Sequence, residues 1–151
     1  MKSLITNIIL NLFFFLNKLT NRKLLPFFSE KFQSELYTEK KIFGKKILFF
    51  TPNRTTIWRV KTLFDQEPET INWINNFKND QIKYWDIGAN IGLYSIYSAL
   101  AHKDIKVISF EPSTSNLRVL SRNISINNLS DKISINQFAL SDLVNVHETM
   151  N

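Results

Sequence analysis

The sequence predicts an α/β fold in which parallel strands alternate with helices. An apolar stretch at 82–87 is followed by a turn containing Gly88 and Gly92 and then by a helical pattern. A second apolar stretch, 105–110, ends directly before Glu111, and a further helical pattern leads to a third apolar stretch. Strands and helices that alternate in this way form a parallel sheet with right-handed crossovers. We therefore expect a Rossmann-like half-sheet.

Composition limits the chemistry that this chain can carry. At 151 residues, with 44% apolar residues, the chain is long enough for a domain with a real core. It contains no cysteine, which excludes disulfides, thiolate zinc sites and cysteine nucleophiles. The two histidines, His102 and His147, are too far apart to form a metal-ligand pair on sequence grounds. We predict no metal site, and composition assigns no catalytic residue.

Charge is unevenly distributed along the chain. The first 61 residues hold 12 Lys and Arg against 3 Asp and Glu, and the remaining residues hold 7 against 10. Such asymmetry marks either contact with an anionic partner or a solvated basic face. The basic residues are scattered and no aromatic-basic RNA module is visible, so the solvated face is favoured and no nucleic-acid partner is expected.

Residues 1–41 are predicted to form an amphipathic helix and a basic connector. Apolar residues at positions 4, 5, 8, 9, 12, 13, 16 and 19 follow a helical period. The longest apolar run, 12–16, is too short to cross a bilayer, and no signal-peptide cleavage site follows it. The helix either lies on a membrane surface or docks on the main domain or a partner, and its weakly charged polar face favours docking. We expect a cytoplasmic protein, with peripheral contact at the inner membrane face as the alternative.

Residues 42–80 are predicted to form a hairpin and helical cap region. The hairpin has its turn at Gly44 and Lys45. A short helix is expected at 55–64, and a second helix begins near Pro68, with acidic residues in its first turn. These elements precede the first strand of the sheet and would form a lid or side wall, where substrate or cofactor contacts are common.

The predicted half-domain covers residues 81–151 and carries the candidate binding residues. Its elements are, in order, a strand at 82–87, a helix at 91–101, a strand at 105–110, a helix at 113–127 and a strand at 132–138. Gly88 and Gly92 would let the backbone approach a ligand, and free amides at the helix start favour a carboxylate. Asp86 would orient an amino group or a water, and Glu111 would accept two hydrogen bonds from ribose hydroxyls.

The spacing favours one nucleoside cofactor, S-adenosylmethionine. Asn90 stands where the dinucleotide fingerprint has its middle glycine, and an acid comes directly before the turn, so a ligand without pyrophosphate is favoured. Ala139 and Leu140, after the third strand, would lie against its adenine. The alternative is purely structural, with Asp86 capping the loop and the glycines permitting packing.

The chain resembles the FkbM-type methyltransferases, a branch of the class I S-adenosylmethionine-dependent fold. The likeness runs from about residue 42 to 145. It rests on three blocks, which are residues 86–95, residues 110–113 with Asn123 and 127–129, and residues 139–142. Three shorter upstream matches are residues 51–53, 58–59 and 67–70. The resemblance implies methyl transfer, often to a hydroxyl of a sugar or natural product. The partner it implies is a small-molecule or glycan acceptor.

The chain departs from this family in length. Family members continue with further strands, including a fourth that ends in an acidic motif near the transferring methyl group. Here the sequence ends at Asn151, which leaves the strand 82–87 as an apolar edge. We therefore expect a truncated member, whose cofactor motifs are present and whose catalytic competence is open. Glu67, Thr70 and Arg59 are candidates for cofactor or substrate contact, although helix capping or a surface ion pair explains them more simply.

Three other functions remain as alternatives at this point. A glycine loop before a helix also occurs in nucleotide-binding oxidoreductases, against which Asn90 argues. A noncatalytic remnant or a helix-anchored interaction protein would keep the fold without the activity. A nucleic-acid methyltransferase is raised only by the basic N-terminal half. The oligomeric state is not predicted.

Overall fold

The structure, a computed structural model, describes residues 2–78 and 81–140. The chain divides into two compact units, Met1–Leu36 and Tyr37–Asn151. The first unit contains α1 (Lys2–Leu19) and α2 (Leu24–Gln33), and the second contains a hairpin, four helices and a parallel sheet within its described residues. Within the described residues, no helix is both long and apolar enough to cross a membrane.

Asn17 organises the turn between the two helices of the first unit. Its side chain is buried, and its Oδ1 accepts a hydrogen bond of 2.9 Å from the backbone N–H of Leu25. Its carbonyl oxygen accepts another from Arg22, which has a left-handed backbone with φ of 62°. Phe13 and Phe28 meet edge to face, with ring centroids 5.5 Å apart. The helix α1 was predicted, whereas α2 lies in the segment expected to be a connector.

The hairpin consists of β1 (Tyr37–Ile42) and β2 (Lys45–Phe50). Its turn residues, Phe43 and Gly44, have φ of 49° and 76°, as a two-residue type I′ turn requires. The predicted turn at Gly44 and Lys45 is therefore one residue late. The error arose because the glycine takes the second turn position, while Phe43 adopts the left-handed conformation at the first.

Two short helices, α3 (Arg54–Lys61) and α4 (Pro68–Asn75), follow the hairpin as predicted. Asn53 caps the start of α3 with a capping box, in which its Oδ1 accepts a hydrogen bond of 2.9 Å from the Thr56 N–H. Pro68 begins α4, where its missing N–H costs nothing. The apolar faces of this region are buried through Val60, Leu63, Ile71 and Ile74.

The second unit is built on a three-stranded parallel sheet, which confirms the predicted fold class. Its elements are β3 (Ile82–Ile87), α5 (Leu93–Ala101), β4 (Ile105–Phe110), α6 (Thr114–Ile126) and β5 (Ile133–Asn136). The strand order is β3-β4-β5, so β4 is central. In register, Ile82 pairs with Ile105 and Ile87 with Phe110. The strand β5 ends two residues earlier than predicted.

Asn123 on α6 and Asn127 at the C-terminal end of that helix attach the hairpin to the parallel-sheet region. Asn123 Oδ1 accepts a hydrogen bond of 2.6 Å from the Phe50 N–H. One turn later, the Asn127 side chain accepts a hydrogen bond of 3.3 Å from the Leu48 N–H and donates one of 2.8 Å to the Leu48 carbonyl. The two amides therefore serve the edge of β2 as a neighbouring strand would. Together they hold β2 against the helix that follows the sheet's central strand.

In the described part of the chain, β3 lies at an edge of the sheet, as the sequence predicted. Trp85 and Ile87 on this strand are 57% and 62% exposed. Trp73, Phe77 and Tyr84 form an aromatic group beside the strand, with ring centroids between 4.9 and 5.9 Å apart. This edge is therefore apolar as well as unpaired within the described residues.

Candidate functional site

The candidate site lies where β3 and β4 end, around the loop formed by residues 88–92. The N–H groups of Gly88 and Ala89 both donate to the Phe110 carbonyl, at 2.9 and 3.0 Å. The next N–H, of Asn90, donates to Glu111 Oε2 at 2.8 Å. Because three successive amides bind the end of β4, the loop is folded over the carboxyl edge of the sheet. The predicted glycine-loop and acidic motifs are thus brought together.

Three residues of the loop have left-handed backbones. The φ angles are 75° at Gly88, 51° at Asn90 and 83° at Gly92. Glycine adopts this conformation without a steric penalty, and asparagine is among the residues that tolerate it best. Asn90 therefore meets a backbone requirement in addition to replacing the middle glycine of the dinucleotide fingerprint.

The two glycines have different surroundings. A Cβ atom built on Gly88 would meet nothing within 4 Å, so this side of the loop is open. A Cβ on Gly92 would lie 2.4 Å from Cδ1 of Leu120, which is fully buried on α6. Gly88 therefore leaves room beside the backbone for a ligand, whereas Gly92 permits close packing of the loop on α6.

Glu111 is buried and holds several groups of the site at once. Its Oε1 accepts a hydrogen bond of 2.9 Å from the Ser113 N–H and one of 3.3 Å from the Asn116 side-chain amide. Its Oε2 accepts a hydrogen bond from the Asn90 N–H. A carboxylate has about four acceptor positions, so these three bonds leave some capacity. Glu111 thus joins the loop after β3 to the start of α6.

Asp86 points into the interior between β3, β4 and α5. It is 6% exposed, and its Oδ2 accepts a hydrogen bond from the Ser95 hydroxyl, which lies 2.7 Å from the Ser109 hydroxyl. Burial raises the pKa of Asp86, although hydrogen bonds from the side chain and backbone of Ser95 lower it, and the charges of Glu67 and Glu111 raise it further. Since Ser95 lies in the first turn of α5, Asp86 anchors the start of that helix.

The raised pKa of Asp86 predicts a pH dependence of stability. A carboxyl whose folded pKa exceeds its ordinary value of 3.8 stabilises the fold most below that pH, and this contribution is lost as pH rises through the folded pKa. From about pH 4 to about pH 7 the unfolding free energy of Asp86→Asn should therefore rise relative to that of the parent chain. Urea denaturation across this range measures the difference. Asp65→Asn, at an exposed position, is the control, and a difference that stays constant with pH would contradict the assignment.

Glu67 and Tyr94 form the rim of the site on the side of α4. Glu67 Oε2 accepts a hydrogen bond of 3.2 Å from the Thr70 hydroxyl. Burial raises the pKa of Tyr94 to about 12, and the charge and hydrogen bond of Glu67 contribute to the increase. Of the three additional candidates, Glu67 and Thr70 are therefore joined at this rim, while Arg59 lies on α3 and takes no part in these contacts.

Ala139 and Leu140 are exposed and follow the carboxyl end of β5. The Glu111 N–H donates a hydrogen bond of 3.1 Å to the Asn136 carbonyl, and this bond holds the end of β5 beside the site. The predicted contact of Ala139 and Leu140 with an adenine stays a prediction. Ser141 and Asp142, the rest of that block, lie outside the described residues.

Asn123 is the site residue that the sequence reasoning missed as a functional group. It is fully buried. Its side-chain amide donates a hydrogen bond of 2.9 Å to the Ile91 carbonyl in the loop and accepts one from the Phe50 N–H. A polar residue between Leu120 and Ile124 on the apolar face of α6 was the available signal. For metals, the described residues contain no group of three or more His, Asp or Glu placed to hold an ion.

Comparisons with known proteins agree with this architecture. No protein-family model matches the chain. "Methyltransferase sdnD" from Sordaria araneosa is 39% identical over 56 residues, which are 37% of this chain and 22% of that protein. The crystal structure of the SAM-dependent methyltransferase from Agrobacterium tumefaciens is 15% identical, with a TM-score of 0.50, and the match covers 68% of this chain and 32% of that one.

A third similar protein is a putative S-adenosyl-L-methionine-dependent methyltransferase from Methanococcus maripaludis. It is 29% identical with a TM-score of 0.47, over 56% of this chain and 39% of that one. The chain thus spans about a fifth to two fifths of the length of these relatives. The likeness to the Agrobacterium structure supports a Rossmann-like fold for the chain.

Proposed function

We propose that the second unit is the S-adenosylmethionine-binding part of a methyltransferase of the FkbM type. The observation that carries the proposal is the hydrogen bond from the Asn90 N–H to Glu111, which unites the two cofactor motifs at the carboxyl edge of the sheet. Ligands of open α/β sheets bind at this edge. The name of the relative from Sordaria araneosa supports methyltransferase activity.

The geometry fits the ribose end of the cofactor. In this proposal Glu111 accepts a ribose hydroxyl at the remaining position of Oε2, and a second hydroxyl displaces the weak Asn116 contact at Oε1. The open side of Gly88 allows the ligand to approach the loop backbone. The exposed Ala139 and Leu140 are available for the adenine ring.

The helix start fits the carboxylate of the methionine end. Amides in the first turn of a helix have no partner within the helix. The Gly92 N–H donates to the Ala89 carbonyl, and Ser95 is directed to Asp86, so Leu93 and Tyr94 offer the remaining amides. The positive end of the α5 dipole would favour the ligand carboxylate there. Asp86 then serves chiefly to position this helix, and its predicted contact with the amino group stays a prediction.

The proposed reaction is transfer of a methyl group to an oxygen atom of a sugar or other small molecule. S-adenosylmethionine, when bound, supplies a methyl group activated by its sulfonium. The products would be the methylated acceptor and S-adenosylhomocysteine, and a base would take the proton of the acceptor hydroxyl. This chain's residues contribute binding and alignment of the reactants. The choice of a hydroxyl acceptor rests on the FkbM resemblance, and the base is not assigned.

Isothermal titration of the 151-residue chain with S-adenosylmethionine, S-adenosylhomocysteine and NADH tests the proposal. The parent should bind the first two and not NADH. Glu111→Gln should weaken S-adenosylmethionine binding by about 10- to 100-fold, because a charge-assisted hydrogen bond is lost. Asp131→Asn, an exposed acid at the opposite edge of the sheet, should bind like the parent.

Circular dichroism of both variants separates loss of binding from loss of the fold. Preferential binding of NADH would overturn the proposal in favour of a nucleotide-binding oxidoreductase. Unchanged affinity in a folded Glu111→Gln variant would overturn the assignment of the ribose site. A folded parent that binds none of the three compounds would favour the noncatalytic alternative.

A further inference from the structure

The helix α1 carries a continuous apolar stripe that the structure leaves exposed. At 100° per residue, eight large side chains fall within a sector about 140° wide. Their exposed fractions range from 42% to 65%, and they are Leu4, Ile5, Ile8, Ile9, Leu12, Phe15, Leu16 and Leu19. An amphipathic helix of a globular protein normally buries such a stripe, so the exposed stripe requires a partner.

The other sides of α1 have different roles. Phe13 and Asn17 lie together on one side and contact α2, through the Phe28 ring and the Leu25 N–H. Between this side and the apolar stripe lies a polar sector that contains Asn7, Asn11 and Lys18. The apolar stripe is therefore separate from the side used within the unit, and Leu10 and Phe14 are two further exposed apolar side chains outside the stripe.

The charge of this region is entirely positive. Residues 1–29 contain Lys2, Lys18, Arg22 and Lys23 and no Asp or Glu. Lys18 lies in the polar sector, and Arg22 and Lys23 lie in the turn before α2. Basic residues on the polar side of an exposed apolar helix are attracted to anionic lipid headgroups.

We propose that α1 lies in the plane of an anionic membrane surface, with its apolar stripe among the acyl chains and its basic residues at the headgroups. The stripe supplies the apolar area that such binding needs, and the positive charge identifies the surface as anionic. The polar sector along one side of α1 suits a helix that lies on the bilayer surface. This proposal is independent of the cofactor.

Vesicle co-sedimentation of the 151-residue chain tests the proposal. The chain should bind vesicles of phosphatidylcholine mixed with phosphatidylglycerol, and bind phosphatidylcholine alone much more weakly. Ile8→Gln with Leu12→Gln, on the stripe, should reduce binding by about tenfold or more. Lys18→Gln with Lys23→Gln should also reduce it by about tenfold or more, with the loss suppressed at high salt.

Matched controls lie on the polar sector and on the second unit. Asn7→Gln with Asn11→Gln, and Lys45→Gln with Lys103→Gln, should bind vesicles like the parent. Because the chain has no cysteine, single variants Ile8→Cys and Asn11→Cys can carry an environment-sensitive fluorophore. On anionic vesicles the label at position 8 should shift to the blue, and the label at position 11 should change little.

Two results would overturn the proposal. One is equal binding by the parent and the stripe variant. The other is loss of self-association in the stripe variant, measured by sedimentation equilibrium, together with no vesicle binding by the parent. The second result would assign the stripe to contact between copies of the chain.

Discussion

Replacing Gly92 with alanine is expected to lower the free energy of unfolding by about 3 kcal/mol. Two costs add. The left-handed backbone, with φ of 83°, disfavours any Cβ atom, and the new Cβ would lie 2.4 Å from Leu120 Cδ1. Leu120 is fully buried, so its side chain has little free space into which it can rotate away from a new Cβ. Urea denaturation measures the loss.

Two comparisons separate the costs at Gly92. Gly44 has a similar φ of 76° with nothing within 4 Å, so Gly44→Ala should lose only about 1 kcal/mol. In a Leu120→Ala background, Gly92→Ala should also cost only about 1 kcal/mol, because the crowded methyl group is gone. Equal losses for Gly92→Ala and Gly44→Ala in the parent chain would refute the packing argument.

Replacing Asn123 with alanine is expected to destabilise the fold by about 3 kcal/mol and to weaken cofactor binding. The change leaves the Phe50 N–H and the Ile91 carbonyl without a partner in a fully buried position. Ile91 belongs to the loop over the site, so its displacement should raise the dissociation constant for S-adenosylmethionine. Urea denaturation and isothermal titration measure the two effects.

Asn127 provides the matched control for Asn123. It is one helical turn away and makes the same kind of contact with β2, but its bonds to Leu48 are exposed and its bond to the Asn123 carbonyl is half-buried. Water can replace those bonds, so Asn127→Ala should cost about 1 kcal/mol or less and leave cofactor affinity unchanged. If the two variants were equally destabilised, burial would not be the reason for the importance of Asn123.

The sequence was sufficient to predict the sheet. The bounds of β3 and β4 agree with the expected ranges because each is a six-residue segment rich in apolar residues and closed by a turn or an acid. The parallel arrangement followed from the helices between the strands. The meeting of the glycine loop with Glu111 was also foreseeable, since the carboxyl ends of neighbouring parallel strands lie at one edge.

Features that depend on distant contacts were not foreseeable in the same way. The helix α2 was missed because its start depends on the Asn17 bond to Leu25. The role of Asn123 depends on β2 and on the loop, which are 73 and 32 residues away in sequence. The hydrogen bond of Asp86 with Ser95 was not foreseeable either, because it depends on how α5 packs on β3, and the predicted ligand contact of Asp86 stays a prediction.

The sequence by itself therefore determined the order of the elements, the parallel sheet and the position of the loop, because local periodicity and glycine placement specify these. Only the tertiary structure decided which polar groups face inward. Asp86 is directed to Ser95 and Asn123 to Ile91 because a buried polar atom must find a partner, and those partners come from other elements packed around it.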